Sequence, residues 1–383
     1  MEGDDDSLYT EQCAATDVHR DVAVMPYSSG TSGPQKGVCL SHFNMVANTV
    51  QALAPGVAPL VNSMLEGQEQ EVVLAVLPFS HIYSMALFMI AQLRLGHKLV
   101  TLPSFEPVMY LRALSTFRPT ILQSVPPIVS FLATSRTVKS SHLDTVKVMI
   151  GGAAHFSPSV LQQLMDKTGG RLEFREGYGL TETCSLALSQ PGKGAVLGSC
   201  GAPVPNTLAK LVDPESGELV GPGERGELCV SGPQVMLGYH RNSRATRRAI
   251  IDHWLHTGDI ATFCSETGQF TIVDRLKEMV KVKDMLVSPS ELEDVVRQHP
   301  GVSDVAVVGA PDEMTGERPR AYVVRRNTNV LEQSVMDWVE ERVDSHKKLG
   351  SVCFVDTLPQ NSVGKMLRRD LKVQVFKGSF GGF

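Results

Sequence analysis

The sequence has no paired cysteines, no long apolar run, no excess of basic charge and no Walker-type phosphate loop. Its seven cysteines stand singly, at Cys13, Cys39, Cys184, Cys200, Cys229, Cys264 and Cys353. Without a C-x-x-C pair, a zinc site or a disulfide framework is not expected, and reduced thiols in an intracellular compartment are. The most apolar stretch, SMALFMIAQLRLGHKLV, is broken at Gln92 and Arg94 and is too short to cross a bilayer. The opening residues MEGDDDSLYTEQ are acidic and lack the apolar centre of a secretory signal, and the closing GSFGGF is not a serine-lysine-leucine peroxisomal address. An intracellular location, cytoplasmic or peroxisomal, with no transmembrane segment is therefore expected. A formal net charge of -5 argues against a nucleic-acid partner held by overall charge.

What is present is enough apolar material for a sizeable core. Hydrophobic residues make up 42% and charged residues 20% of 383, which suits two or three domains. From about 20 to 200, strand-like runs alternate with helical patterns. EVVLAVLPFS, HKLVTLP, TILQSV and TVKVMIGGAA read as strands, and SMALFMIAQLRLG, PVMYLRALSTFRP and SPSVLQQLMDKTGG as helices. The last of these helices carries a serine cap, a first-turn proline and closing glycines. This rhythm predicts a largely parallel sheet covered by helices, with ligands beyond the carboxyl ends of the strands. From about 200 to 272, short strands separated by PESG and GPGERG turns suggest a small antiparallel subdomain. From about 276 the order reads strand, helix, strand, strand, helix, strand, a compact α+β unit.

One stretch stands apart. YSSGTSGPQKG, residues 27 to 37, has the spacing Gly30-x-x-Gly33-x-x-Lys36-Gly37. Glycine-rich backbone can approach phosphate oxygens closely, and the hydroxyls and lysine add donors. A Walker loop needs G-x4-G-K-[ST], but here a glycine follows the lysine. A phosphate-gripping loop of another class and a small-residue surface turn both fit this run taken alone.

Four further segments follow in order: EGYGLTET (176 to 183), LHTGDI (255 to 260), DRLKEMVKVKDMLVSPSELE (274 to 293) and NSVGKMLRRDL (361 to 371). Together with the loop they resemble the adenylate-forming enzymes: acyl- and aryl-CoA synthetases, 4-coumarate-CoA ligases and beetle luciferases. The resemblance covers nearly the whole chain from about residue 20. It implies an α/β fold with a large N-terminal domain (1–273), short at its start and carrying the β-rich subdomain, and a small mobile α+β domain (274–383). It also implies a two-step reaction. A fatty or aryl carboxylate attacks the α-phosphate of ATP to give an acyl-adenylate and pyrophosphate, and coenzyme A thiol then displaces AMP. Bringing two anions together calls for magnesium and fixed positive groups.

The resemblance carries over residue by residue. Ser28, Ser29, Gly30, Thr31, Ser32, Gly33 and Lys36 match the phosphate loop. Thr181 matches a phosphate contact and Glu182 a magnesium ligand. Glu176, Gly177, Tyr178 and Gly179 match the segment around adenine, where the family often carries glutamine at position 176. Asp259 is implied to take both ribose hydroxyls, with Arg275 supporting it. His81 and Tyr83 match the acyl-pocket loop, and Gly151, Gly152 and Ala153 the segment flanking nucleotide and acyl group. Lys365 matches the lysine that neutralises charge in adenylation. Lys277 matches the hinge, and Lys281 and Lys283 the surface presented for thioester formation. Taken singly, each of these residue types has an ordinary structural reading as a cap, a turn or a solvated side chain.

The chain departs from the pattern at Asp284, which replaces a glycine lining the pantetheine path. It departs again at Leu286, which replaces a glutamine. Val363 replaces a serine before Gly364-Lys365, and Ser104 stands where plant ligases carry a lysine. The phosphate loop also begins at residue 27, where the family places a long preceding segment, so a partner covering that region is a further expectation. A degenerate adenylate-binding protein without turnover, and an enzyme that stops at the adenylate or oxidises it, are the competing readings.

Overall fold

The structure, a computed structural model, describes residues 16–28, 35–57, 70–192, 194–283, 285–360 and 366–372. Ser29, Gly30, Thr31, Ser32, Gly33, Asp284 and Lys365 lie outside the described residues. The first elements are β1 (Val22–Val24), β2 (Val38–Ser41) and α1 (His42–Ala52). Ser41 caps α1, its hydroxyl accepting from the Asn44 amide while the Asn44 side chain accepts from the Ser41 amide. An antiparallel bridge between Tyr27 and Gly37 and a bond from the Ser28 amide to the Lys36 carbonyl close the base of the 27–37 loop.

Next come β3 (Val72–Ala75), α2 (Ile82–Ser84), β4 (Lys98–Thr101), α3 (Pro107–Phe117), β5 (Ile121–Ser124), α4 (Pro126–Thr134), β6 (Val148–Gly151), α5 (Pro158–Lys167) and β7 (Glu173–Tyr178). They form the expected parallel core in the order β4-β3-β5-β6-β7. Their continuous apolar runs suit a sheet covered on both faces. β8 (Leu188–Ser189) and β9 (Ala202–Pro203) extend the sheet antiparallel from β7. Leu74, Leu122 and Met149 of the sheet are buried in one core with Phe88, Leu132, Phe156 and Leu164.

Two local readings need correcting. SMALFMIAQLRLG is not one regular α-helix, because Met85–Gln92 winds as a π-helix after α2. Ser157 stands at the N-cap of α5, but its hydroxyl pairs with the Ser159 hydroxyl and makes no capping bond.

The β-rich region comprises β10 (Leu208–Val212), β11 (Gly226–Ser231), β12 (Gly238–Tyr239), α6 (Ser243–Ala249), β13 (Ile250–Ile251), β14 (Trp254–Cys264) and β15 (Gln269–Arg275). β12 joins β1 and β2, and the other strands make an antiparallel sheet. The PESG turn forms because the Asp213 carboxylate accepts from the Glu215 and Ser216 amides and Gly217 takes φ 75°.

The last unit runs β16 (Val280–Val282), β17 (Met285–Val287), α7 (Pro289–Arg297), β18 (Val302–Asp312), β19 (Gly316–Arg325), α8 (Glu332–Glu340) and β20 (Ser351–Phe354). The single strand read before α7 is in fact the hairpin β16–β17. Buried valines and leucines of the sheet, α7 and α8 form a separate core. Ser288 caps α7, accepting from the Glu291 amide, and Pro289 occupies the first turn where no amide bond is required.

Candidate active site

The carboxyl ends of β3, β5, β6 and β7 lie on one edge of the parallel sheet, and the motifs follow directly from three of them. His81 and Tyr83 follow β3. Gly152 and Ala153 follow β6. Gly179, Thr181 and Glu182 follow β7. A cavity of about 750 Å³ opens there, within the size range of small-molecule sites. It is lined by Ser28, Lys36, His81, Tyr83, Gly151, Gly152, Ala153, Gly177, Tyr178, Gly179, Thr181, Glu182, Arg275 and Lys277. Glu176 and Asp259 line an adjoining cavity of about 480 Å³, reached past Ala153, Tyr178 and Arg275. Lys281 and Lys283 border neither cavity; they are exposed on β16 and its turn.

Several positions accept only small residues. A Cβ on Gly179 would overlap the Ser185 carbonyl, and one on Gly151 would meet the Phe156 ring at 2.8 Å. At Gly152, by contrast, an added Cβ would make only ordinary contacts with the Gly177 carbonyl and the Tyr83 ring. Ala153 takes φ 74°, an unusual conformation for a residue with a Cβ, at the junction of the two cavities.

On one wall, strand register builds an ion cluster. Asp259 on β14 faces Arg275 on β15, and Arg275 Nε lies 3.1 Å from Asp259 Oδ1. The Tyr178 hydroxyl donates to Asp259 Oδ2 at 2.6 Å. Burial, followed by the Asp259 charge, raises the Tyr178 pKa well above its ordinary value, so this hydroxyl remains a donor. A carboxylate has about four acceptor positions, so Asp259 keeps capacity for further donors.

Across the cavity, the Tyr239 hydroxyl donates to Glu182 Oε1 at 2.8 Å, and Lys36 Nζ lies 4.9 Å from the centre of the same ring. A cation over the ring face and a carboxylate at its hydroxyl hold the lysine and the acid on one surface. The Ser28 hydroxyl nearby is buried and has no partner among the described residues. His81 Nδ1 accepts from the Tyr83 amide, and the Tyr83 hydroxyl donates to the Ile150 carbonyl, so the acyl-loop residues are pinned to α2 and β6.

Glu176 is buried. Its amide donates to Gln190 Oε1, and its Oε2 has no partner among the described residues. Burial pushes its pKa up to about 8, against the pull of His155, so the carboxyl is mostly neutral near pH 7.

The motif reading assigned no role to several cavity residues, among them Glu227, Tyr239, Arg244, Arg248 and, inside the LHTGDI motif itself, His256. Glu227 Oε1 accepts from the Gly258 amide and Oε2 pairs with His256 Nδ1 at 2.8 Å, bracing the HTGD turn from the neighbouring strand. An acid inside the apolar strand GELCVS was the available signal. Arg244 and Arg248 lie one turn apart on α6 at the cavity mouth. With Lys36, Arg275 and Lys277 they make five basic side chains against the two carboxylates of Glu182 and Glu227, a balance suited to a polyanion. Glu182 and Thr181 offer the hard oxygen donors that magnesium takes.

Comparison with known proteins shows the family. A family model described as AMP-binding enzyme matches residues 2–240, and one described as AMP-binding enzyme C-terminal domain matches residues 291–365. The chain is 39% identical over 359 residues to "Probable 4-coumarate–CoA ligase 1" of Dictyostelium discoideum, covering 93% of this chain and 64% of the relative. It is 36% identical over 367 residues to 4-coumarate-CoA ligase 1 of Narcissus pseudonarcissus, covering 94% and 66%. The crystal structure of ATP-bound MatB from Rhodopseudomonas palustris superposes with a TM-score of 0.84 at 29% identity, covering 93% of this chain and 68% of that one. The chain thus spans just under two thirds of the length of these curated relatives. Among the described residues no helix is long and apolar enough to cross a membrane.

Proposed function

Because the chain belongs to the AMP-binding enzyme family, we propose that it is an ATP-dependent, AMP-forming ligase joining a fatty or aryl, 4-coumarate-like acid to coenzyme A. The observation that carries this is a pair of clusters on adjoining cavities: Glu182, Tyr239 and Lys36 line the larger, Asp259 lines the smaller, and Tyr178 and Arg275, both bonded to Asp259, border the two.

In this reading Tyr178, Gly177 and Gly179 receive adenine, with Glu176 at its edge. Asp259 accepts from the ribose hydroxyls with its remaining lone pairs, and Arg275 holds its orientation. The 27–37 loop, through Ser28, Thr31, Ser32 and Lys36, and Thr181 bind the phosphates. Magnesium, held by Glu182, would offset charge on the phosphate oxygens. The acid lies between Tyr83, Gly152 and Gly177 beside His81. One carboxylate oxygen bonds to the α-phosphorus as the bond to the β-phosphate oxygen breaks, and pyrophosphate leaves. Lys365 is assigned to the charge that develops there. In the second step the coenzyme A sulfur bonds to the acyl carbon and AMP leaves. Residues 1–273 are the adenylating domain, and residues 274–383 move about Lys277 between the steps, bringing Lys281 and Lys283 toward the site. Asp284 and Leu286 bear on that second step alone.

The test is pyrophosphate release from the purified chain with ATP, magnesium and a panel of fatty and cinnamic acids, with and without coenzyme A. Acid-dependent release with thioester formation is expected. Release without thioester would limit the chain to adenylation. No release from folded protein across the panel would leave a nucleotide-binding protein without turnover.

A further inference from the structure

Behind the HTGD turn, three side chains of metal-ligating type converge on one point. Glu227 and Cys229 stand two residues apart on β11, and register sets His256 of β14 opposite Cys229. His256 Nδ1 lies 2.8 Å from Glu227 Oε2 and 3.5 Å from Cys229 Sγ. One ligand atom from each residue falls within 4.8 Å of the other two. The thiol is buried, while Glu227 and His256 also line the main cavity, which gives an ion and its water a way in. No C-x-x-C spacing announces the group, because its members sit on two strands and meet only through register.

Hydrogen bonding alone does not account for all three. Nδ1 carries either one proton or one lone pair, so it can bond only one of its two neighbours. With the proton there, the bond goes to Oε2, and the thiol is left with the Glu227 carbonyl 3.9 Å away. Without it, two lone pairs face each other across 2.8 Å. The spacing suits a tetrahedral ion better. Bonds of about 2.3 Å to sulfur and about 2.0 Å to nitrogen hold those two ligand atoms about 3.5 Å apart. That is the separation between Cys229 Sγ and His256 Nδ1. Oxygen and nitrogen ligands of the same ion stand about 3.3 Å apart, so the contact between Oε2 and Nδ1 has to open by only about half an ångström. Glu227 Oε1 keeps its bond to the Gly258 amide throughout, so the turn is not dismantled. A thiolate and a carboxylate together balance a divalent charge, and the thiol proton leaves to solvent. Sulfur selects zinc over magnesium, which takes oxygen donors.

We propose that Glu227, Cys229 and His256 form a binding site for a zinc-class divalent cation, with a fourth position left for water from the cavity. The ion ties β11 to β14 behind the turn that carries Asp259, and it is separate from the magnesium assigned to Glu182. The site does not depend on the ligase reading.

The test adds Co2+, a spectroscopic stand-in for Zn2+, to the full chain in excess magnesium, with Zn2+ titrated by calorimetry in parallel. One equivalent of cobalt is expected to give a thiolate-to-cobalt absorption band in the near ultraviolet, which zinc then bleaches. Cys229→Ser is expected to abolish the band. His256→Asn should weaken zinc binding at least about tenfold, since losing even an outer-shell partner can cost that much. Cys264→Ser, at an exposed cysteine outside the cluster, should leave band and affinity unchanged. If the two site variants fail to fold, X-ray absorption on the zinc-loaded wild-type chain reads the same ligands, as one sulfur among nitrogen and oxygen donors. The inference is overturned by the absence of a cobalt band, by a band that survives in Cys229→Ser or vanishes in Cys264→Ser, or by a zinc shell without sulfur.

Discussion

Two buried ion clusters border the same 480 Å³ cavity, and they are built differently. Around Asp259 one carboxylate meets one guanidinium and one hydroxyl. Around Arg368 one guanidinium meets two carboxylates. Its Nη1 donates to Glu278 at 2.6 Å, its Nη2 to both Glu293 oxygens at 2.8 Å, and its Nε to Glu293 at 3.2 Å. Glu293 in turn accepts from the Val307 amide. Every nitrogen of Arg368 has an acceptor, whereas Asp259 keeps lone pairs beside open space. The Arg368 cluster is a clasp that ties residues 366–372 to α7 and to the segment after β15. The Asp259 cluster is a seat with places left for a ligand. Burial and charge are common to both clusters; what sets the proposed seat apart is unspent acceptor capacity facing a cavity.

The largest effect is expected from breaking the clasp. Arg368→Met leaves Glu293 buried beside a hydrocarbon, and removing one partner of a buried pair typically costs about 3–5 kcal/mol. Burial already raises the Glu293 pKa despite the adjacent guanidinium, so the variant's carboxyl is expected to take up a proton and recover part of that loss. Urea unfolding followed by tryptophan fluorescence measures it, Trp338 reporting on the unit that holds α7 and α8. A loss below about 1 kcal/mol would mean that the cluster clasps nothing.

Asp259→Asn should do the reverse. The amide still accepts from Tyr178, and Arg275 is 28% exposed and can turn to water, so stability should change by less than about 1 kcal/mol. ATP affinity should fall about ten- to a hundredfold, the usual span for a lost charge-assisted hydrogen bond. Calorimetric titration with ATP and magnesium checks this. An affinity within twofold of wild type would remove Asp259 from the binding site and erase the contrast with Arg368.

The seat was more legible in the sequence than the clasp, for a physical reason. The proposed phosphate and ribose contacts use local runs, where glycines, hydroxyls and a single charge sit at fixed offsets, so SSGTSGPQK, GYGLTE and HTGD can be picked out as segments. The alternation of apolar runs and helix starts likewise exposed the parallel sheet and both flanking regions. What stayed hidden depends on register between distant segments. Glu227 braces Gly258 only because β11 lies beside β14, and Tyr239 meets Glu182 only because β12 joins β2. The β16–β17 hairpin was missed because its strands are three residues each. At that length the alternation is too brief to separate two strands from one.

A third contact lies between seat and clasp, and it offers the finest test of the distinction. His155, just beyond Ala153, places Nε2 3.0 Å from Asp294 Oδ2 on α7, and Asp294 is also held by Arg297 at 2.8 Å. Burial works against a charged ring, but the hydrogen bond and charge of the Asp294 carboxylate outweigh it and raise the His155 pKa. The ring is about a third exposed, so solvent screens the pair, and a coupling of about 0.2–1 kcal/mol is the ordinary range. The sign follows from linkage. A histidine whose pKa is raised on folding contributes its full stabilisation below the unfolded value near 6.5 and loses it as pH rises through the folded value. A double-mutant cycle with His155→Asn and Asp294→Asn, run in urea at pH 6 and again at pH 9, should therefore find this small coupling at the lower pH and almost none at the higher. A contact of that strength would let α7 part from the loop after β6 without a large penalty, as the proposed movement between two half-reactions requires. A coupling above about 2 kcal/mol that persisted at pH 9 would instead make His155 part of a second clasp, which the proposed movement about Lys277 would have to break.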